Sequence, residues 1–438
     1  MEHRHLLIAL LFCLIPAFGL AQSSQDYGDD YSLEFVPDLW YNDVDGIRVG
    51  VRVRGEMEGS FNDGPHRLNA GLWLGTWFPD QPVSYYFSFT EPIPSISSFG
   101  SEGSLQLETS VRTGFSKHGL YFNKRWQFGF DELKYVEFRT GLSTEKMFDE
   151  EYRQFPEHWV FNVNQDLPLD SPTGPRPRVK EQIHLLNASL LLHQQNLLGT
   201  YSIDLDFKQQ LNEKVLPSFT RFDAEITQQI VLGSGFKLDF RSFFGMANKD
   251  VPYQYSYLSS MQSMIGWLDH GLSRAKGTIP ISMMNEGIVQ FTGGPNLRGY
   301  LNQDVKALKS NAFIQGIGAG DYYLLNAVLS LNAELDYPNP LHKKLKSIPF
   351  LGDFLAMRSY MFYDVGTMPE RRGGNLFDAQ KSDAGAGFEL SINIPDYLGK
   401  DRGLFIRYDI PFWLSHPGGG ESHVEFRHLI GIGALISF

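Results

Sequence analysis

The stretch "GIRVGVRVRG", Gly46 to Gly55, alternates without a break. Ile47, Val49, Val51 and Val53 fall on one side of an extended chain, while Arg48, Arg52 and Arg54 fall on the other. A period of two is the mark of a β-strand, and arginines on one face with β-branched residues on the other place it between a wet and an apolar medium. "RLNAGLWLGTWF", "SLQLETSVRTGF", "FTRFDAEITQQIVLG" and "FKLDFRSFFGMA" repeat the pattern. In "LLNAVLSLNAELDY", Ala327, Leu329, Leu331, Ala333, Leu335 and Tyr337 share one face, and Val328, Ser330, Asn332, Glu334 and Asp336 the other. Strands of soluble sandwiches average about five to six residues, and these run longer. Long alternating segments with charge on the polar face predict a transmembrane antiparallel β-barrel with a hydrated lumen.

The ends of the chain agree with that reading. "MEHRHLLIALLFCLIPAFGLAQ" joins a basic head to an apolar run from Leu6 to Phe18, and Gly19-Leu20-Ala21 follows. This predicts a secretory signal peptide over 1–21, cleaved after Ala21. The only cysteine, Cys13, lies inside that run and away from the cleavage point, so neither lipidation nor a cysteine metal site is expected. At the other end, "VEFRHLIGIGALISF" alternates Ile430, Ile432, Ala434 and Ile436 up to Phe438. A terminal aromatic residue on an alternating strand resembles the signal by which bacterial outer-membrane barrels are recognised for assembly.

Composition narrows the function classes. A net charge of −12 argues against nucleic acid as a partner. No later apolar run approaches the roughly 20 residues of a spanning helix. Gly-x-Ser-x-Gly, His-Glu-x-x-His and phosphate-loop motifs are absent, and His416, His423 and His428 sit near a Gly-Pro turn that would hold a metal poorly. No enzyme activity, cofactor or metal is expected. About fifteen segments between Gly46 and Phe438 read as strands, and since bacterial barrels use even numbers, sixteen is the nearest fit. The long interruptions, Ser143 to Lys180, Lys249 to Glu286 and Asn302 to Gly320, read as extracellular loops; "YLSSMQSMIGWLDHGLS" within the second suggests a short helix.

One loop does not look like the others. "GGPNLRGY", Gly293 to Tyr300, sets Arg298 between Leu297 and Gly299-Tyr300. It resembles the Gly-Gly…Val-Arg-Gly-Phe/Tyr signature of the BamA superfamily, also called the bacterial surface antigen family, with Leu297 in place of the usual valine. Further resemblances follow in the family's order: "LNAELDYPNP" with Glu334 and Pro338, "MFYDVGT" with Phe362, Asp364 and Gly366, then "DAGAGFELSINIPD" and "GLFIRYDIPF". The resemblance covers about 150 residues and is weaker upstream, where "YNDVDGIRVG" is similar to a first barrel strand. One departure is plain. Barrel-building members carry POTRA domains of roughly 75 residues ahead of the barrel, and Gln22 to Asp45 is too short for one. The expected organisation is therefore 1–21 signal peptide, 22–45 short N-terminal segment and 46–438 barrel.

The resemblance implies that the loop folds into the lumen and that Arg298 meets a wall carboxylate, with Asp364 the first partner and Glu334 the second. A guanidinium grips a carboxylate bidentately, with direction as well as charge. Gly299 would supply backbone freedom and Tyr300 packing, with Gly293 and Gly294 part of the same loop motif. It further implies a barrel in the outer membrane of a Gram-negative bacterium, in contact with outer-membrane lipid and with protein clients or complex subunits. There it would aid insertion, translocation or surface display of proteins. A passive channel or structural barrel is the alternative, and an outer-membrane enzyme a more distant one.

Overall fold

A computed structural model describes residues 31–435 apart from 43–45, 58–66, 77–81, 113–114, 130–133, 148–181, 212–217, 249–250, 253–254, 264, 267–287, 290–293, 309–323, 350–351, 353 and 395–401. The expected signal peptide 1–21, Gly293 and Phe438 lie outside the described residues. Sixteen long strands form one antiparallel meander. They are β1 (Tyr31–Asn42), β2 (Gly46–Met57), β3 (Arg67–Gly75), β4 (Val83–Pro92), β5 (Ser101–Arg112), β6 (Phe115–Gln127), β7 (Tyr135–Met147), β8 (Ile183–Gln195), β9 (Thr200–Gln210), β10 (Thr220–Gly233) and β11 (Phe236–Ala247). After the two-residue β12 (Ile288–Val289) come β13 (Ala327–Tyr337), β14 (Leu355–Met368), β15 (Ala379–Ile394), β16 (Arg402–Leu414) and β17 (Leu429–Leu435). Two short helices, α1 (Leu301–Leu308) and α2 (Pro340–Lys346), interrupt the pattern. Among the described residues no helix is long and apolar enough to cross a membrane.

Side chains sort by parity along each strand, as the period of two requires. Leu331 and Leu335 of β13 are exposed, whereas Ser330, Asn332 and Asp336 on the alternate positions are buried. Leu72 and Leu74 flank the buried Trp73, and Met361 and Tyr363 flank the buried Phe362. The large apolar side chains therefore face outward and the charged ones inward, the inverse of a soluble core and the arrangement of a barrel set in hydrocarbon.

The sheet begins earlier than the boundary expected at Gly46. Residues 31–42 form β1, paired with β2 from Tyr31↔Met57 to Asn42↔Gly46. Leu33 and Phe35 face out, and Asp38 faces in, accepting a hydrogen bond from Trp73 Nε1 at 2.9 Å. Pro37 obscures this strand in the sequence because it has no N–H to give to a ladder. Proline is tolerated in edge strands, and β1 begins the meander.

Apart from the one bearing α2, the longest connections join strand ends at one rim, which they share with the short 43–45 and 113–114. The strand ends joined through 148–182, 211–219, 248–326, 369–378 and 415–428 all lie there. The opposite rim carries the ends of the described chain, short turns such as 196–199 and 234–235, and the connection bearing α2. The second and third long interruptions of the sequence prove to be parts of one excursion between β11 and β13, which contains β12, the Arg298 turn and α1. The described part of "YLSSMQSMIGWLDHGLS" is not an α-helix. Its backbone is committed elsewhere: Tyr257 and Leu325 exchange both N–H···O bonds, at 2.8 and 2.9 Å. The apolar core sits inside the barrel at the long-loop rim, where Tyr255, Tyr257, Leu297 and Tyr300 of the excursion pack with wall residues such as Phe243 and Leu414.

Candidate functional site: a loop arginine bound to the inner wall

Arg298 opens a short 3-10 turn, Arg298–Tyr300, that runs directly into α1. Its guanidinium is 1% exposed. Nε donates to Asp364 Oδ2 at 2.7 Å and Nη2 to Asp364 Oδ1 at 2.9 Å, the bidentate fork that only arginine offers. Nη1 donates to Glu334 Oε1 at 2.7 Å and stands 3.9 Å from Asp409 Oδ2. The guanidinium plane lies over the Phe362 ring, 3.9 Å from its centroid, a cation–π contact in a water-poor setting. Asp364 and Glu334 both meet Arg298, because Asp364 pairs in register with Asn332, two residues before Glu334 on the same face of β13.

Small residues let the turn come so close. Gly366, on β14, leaves room for Leu297; an added Cβ would stand 3.1 Å from Leu297 Cδ1. A Cβ on Gly299 would overlap Leu414 Cδ2 and lie 2.9 Å from Asp383 Cβ. Gly294 takes φ +59 beneath the backbone of Met261, a conformation and a clearance that suit glycine alone. Tyr300 Oη donates to the Ser382 carbonyl at 3.1 Å and accepts from His416 N at 3.3 Å. Tyr300→Phe should cost about 0.5–1.5 kcal/mol of loop anchoring. Protease nicking of the long-loop rim should then rise by less than roughly tenfold; loss of the folded barrel in that variant would contradict this assignment.

Further residues, not singled out in the sequence, complete a network. Arg407 binds Glu334 and donates from Nε to Asp409 Oδ2 at 2.9 Å. Arg358 donates to Glu334 Oε2 at 2.7 Å and to Asp336 Oδ2 at 2.6 Å. Asn332 Nδ2 donates to Asp364 Oδ1 and to the Asn296 carbonyl, both at 3.0 Å, tying wall to turn. Asp383 stands opposite Asp364 in the β14–β15 register. Parity was an available signal: Arg358, Tyr360, Phe362 and Asp364 share one face of β14, and Arg407 and Asp409 share one face of β16.

A second anchor holds α1. Asp304 accepts from Ser259 Oγ at 2.8 Å and from Ser260 N at 2.7 Å. Burial lifts its carboxyl above the usual range, and the Lys381 ammonium and the serine donors offset only part of that. Beside the turn lies a cavity of about 800 Å³, lined by both signs of charge, including Arg221, Asp223, Glu225, Asp239 and Arg241.

No protein-family model matches the chain, and no curated protein does. Solved structures do. BamA from Haemophilus ducreyi lacking POTRA domains 1–3 aligns over 92% of this chain and 69% of that one, with TM-score 0.50 at 14% identity. The fold is that of an outer-membrane β-barrel. Pseudomonas aeruginosa OpdR aligns with TM-score 0.29 at 9% identity over 93% and 94% of the two chains. A BenF-like porin from Pseudomonas fluorescens aligns with TM-score 0.30 at 12% identity over 94% and 100%.

Proposed function

We propose that the protein is an outer-membrane barrel of BamA type that works at its wall, aiding insertion, translocation or surface display of other proteins. It does so without bond chemistry. The observation that carries this reading is the edge of the last strand. Each inner strand pairs along most of its length with two neighbours, but among the described residues the outer edge of β17 carries only β12, in parallel, at Ile288↔Ile430 and Val289↔Gly431. Among the described residues no ladder joins β17 to β1. Two residues of parallel pairing are held by few hydrogen bonds, each worth about 0.5–1.5 kcal/mol net. An incoming strand can displace them and add to the sheet. The buried Arg298 turn supports the same reading, because it occupies part of the interior through which a pore would pass.

The test uses vesicles containing the purified barrel and a urea-unfolded eight-stranded client barrel. The protein should speed client folding about fivefold or more. Ile288→Cys with Ile430→Cys, in a Cys13→Ser background, should abolish that gain when oxidised and restore it when reduced. A channel is the second reading, favoured by the charged 800 Å³ cavity beside the turn. Steady ion conductance with no gain in client folding would decide for the channel.

A further inference from the structure

The connection between β13 and β14 differs from the other described turns on its rim. "PNPLHKKLKSIPFLGDF", Pro338 to Phe354, holds three lysines and a histidine against one acidic residue, Asp353, in a chain whose net charge is −12. Its helix α2 is fixed to the wall rather than free. Asn339 caps it by accepting from Leu341 N at 2.8 Å, and also donates to Ser359 Oγ at 2.5 Å. His342 Nδ1 accepts from Met357 N of β14 at 3.1 Å.

What this fixed helix presents is amphipathic. Leu341, Leu345 and Ile348 follow at spacings of four and three, one stripe of a helical turn that continues through Ile348 N to Leu345 O at 3.1 Å. Leu341 is 48% exposed and Ile348 39%, and Lys343, Lys344 and Lys346 beside them are exposed too. Lysines in a last helical turn offset its dipole, which accounts for the charge but not for the bare leucine and isoleucine. The surroundings account for both. Below α2, the outer faces of β13 and β14 carry Leu331, Leu335 and Met361, all exposed on the apolar wall. Next to α2, Gly235 of the β10–β11 turn lies against Pro338, and Val231 and Leu232 are exposed there. The stripe therefore stands where the hydrocarbon layer ends, with ammonium groups at headgroup level, the arrangement of an interfacial helix.

We propose that α2 and its rim form a binding site for anionic phospholipid in the leaflet on the short-turn side, the periplasmic leaflet by the usual asymmetry of such barrels. The lysines take the headgroup phosphate, and Leu341 and Ile348 enter the acyl boundary. An acidic protein would match the lysines, but not an apolar stripe level with the lipid-facing wall. The proposal needs the barrel to sit in a bilayer; it is independent of what the barrel does to other proteins.

The experiment places a single environment-sensitive fluorophore at Ser347→Cys in a Cys13→Ser background, with the full chain in phosphatidylcholine bilayers. Quenching is measured with brominated phosphatidylglycerol and with brominated phosphatidylcholine. An exposed lysine near an anionic surface contributes enough attraction that the relative association constant should favour phosphatidylglycerol by about fivefold or more. It should fall to about one in 1 M salt, and in Lys343→Gln/Lys344→Gln/Lys346→Gln, whose heat-dependent gel mobility shows the barrel intact. Leu341→Ser/Ile348→Ser should weaken quenching by both lipids. Three results overturn the proposal: no quenching by either lipid, no preference in the parent protein, or a preference that the triple glutamine variant keeps. If the lysine changes instead abolish a protein crosslink in cells and leave lipid preference untouched, the surface is a protein interface and the lipid site is wrong.

Discussion

Arg298→Ala should free the long-loop rim while leaving the barrel assembled. The substitution strands Asp364, which is fully buried and would keep the Asn332 amide as a donor in place of a guanidinium. Breaking one side of a buried pair costs about 3–5 kcal/mol, and a 1% exposed guanidinium leaves little screening to reduce that. The loop-open population should rise by roughly 10²–10³, read as protease cleavage within the 248–326 excursion. The meander itself should persist, because each inner strand is bonded to two neighbours. Glu334→Ala should be milder for Asp364 and harsher for Arg407 and Arg358, which both bind Glu334. Asp364→Ala should resemble Arg298→Ala, and the double variant should be no worse than either single one. Strict additivity in that cycle would mean that the two side chains do not support each other.

A second large effect is expected at Gly299, where no charge is involved. Gly299→Ala puts a Cβ into Leu414 Cδ2 and against Asp383, on a wall where Leu414 is fully buried. Overpacking of this kind costs about 1–3 kcal/mol, and the turn that must shift is the one holding Arg298. The same protease sites should open, by roughly tenfold to a hundredfold. Leu414→Ala alone should leave a cavity costing about 2–5 kcal/mol, yet combined with Gly299→Ala it should restore part of the protection. If Gly299→Ala is silent, the close approach of turn to wall is not maintained in the membrane.

Much of the architecture was legible residue by residue. Parity alone separated Leu331 and Leu335 from Ser330, Asn332 and Asp336, and it does so because a strand turns each successive side chain to the opposite face. β1 was not legible, since Pro37 breaks the usual signal of a strand and only an edge position makes it tolerable. Within the stretch 257–273, the described residues 257–263 are not helical for a related reason. Tyr257 gains two backbone bonds from Leu325, a partner far along the chain that a local pattern does not display.

The site divides along the same line. Sequence by itself determined that this chain alternates between an apolar and a charged face, that the charges face inward, and that Arg298 sits in a glycine-bounded turn unsuited to any strand. These are local properties, set by the two-residue period of extended backbone and by the conformations closed to side chains other than hydrogen. Only the tertiary structure decided that Asp409 joins Asp364 and Glu334, the carboxylates the resemblance had named, around one guanidinium, that Arg358 and Arg407 share the same carboxylates, and that β12 rather than β1 lies on β17. Strand register and loop closure join residues tens of positions apart, and they follow from the sum of many weak pairings along whole ladders.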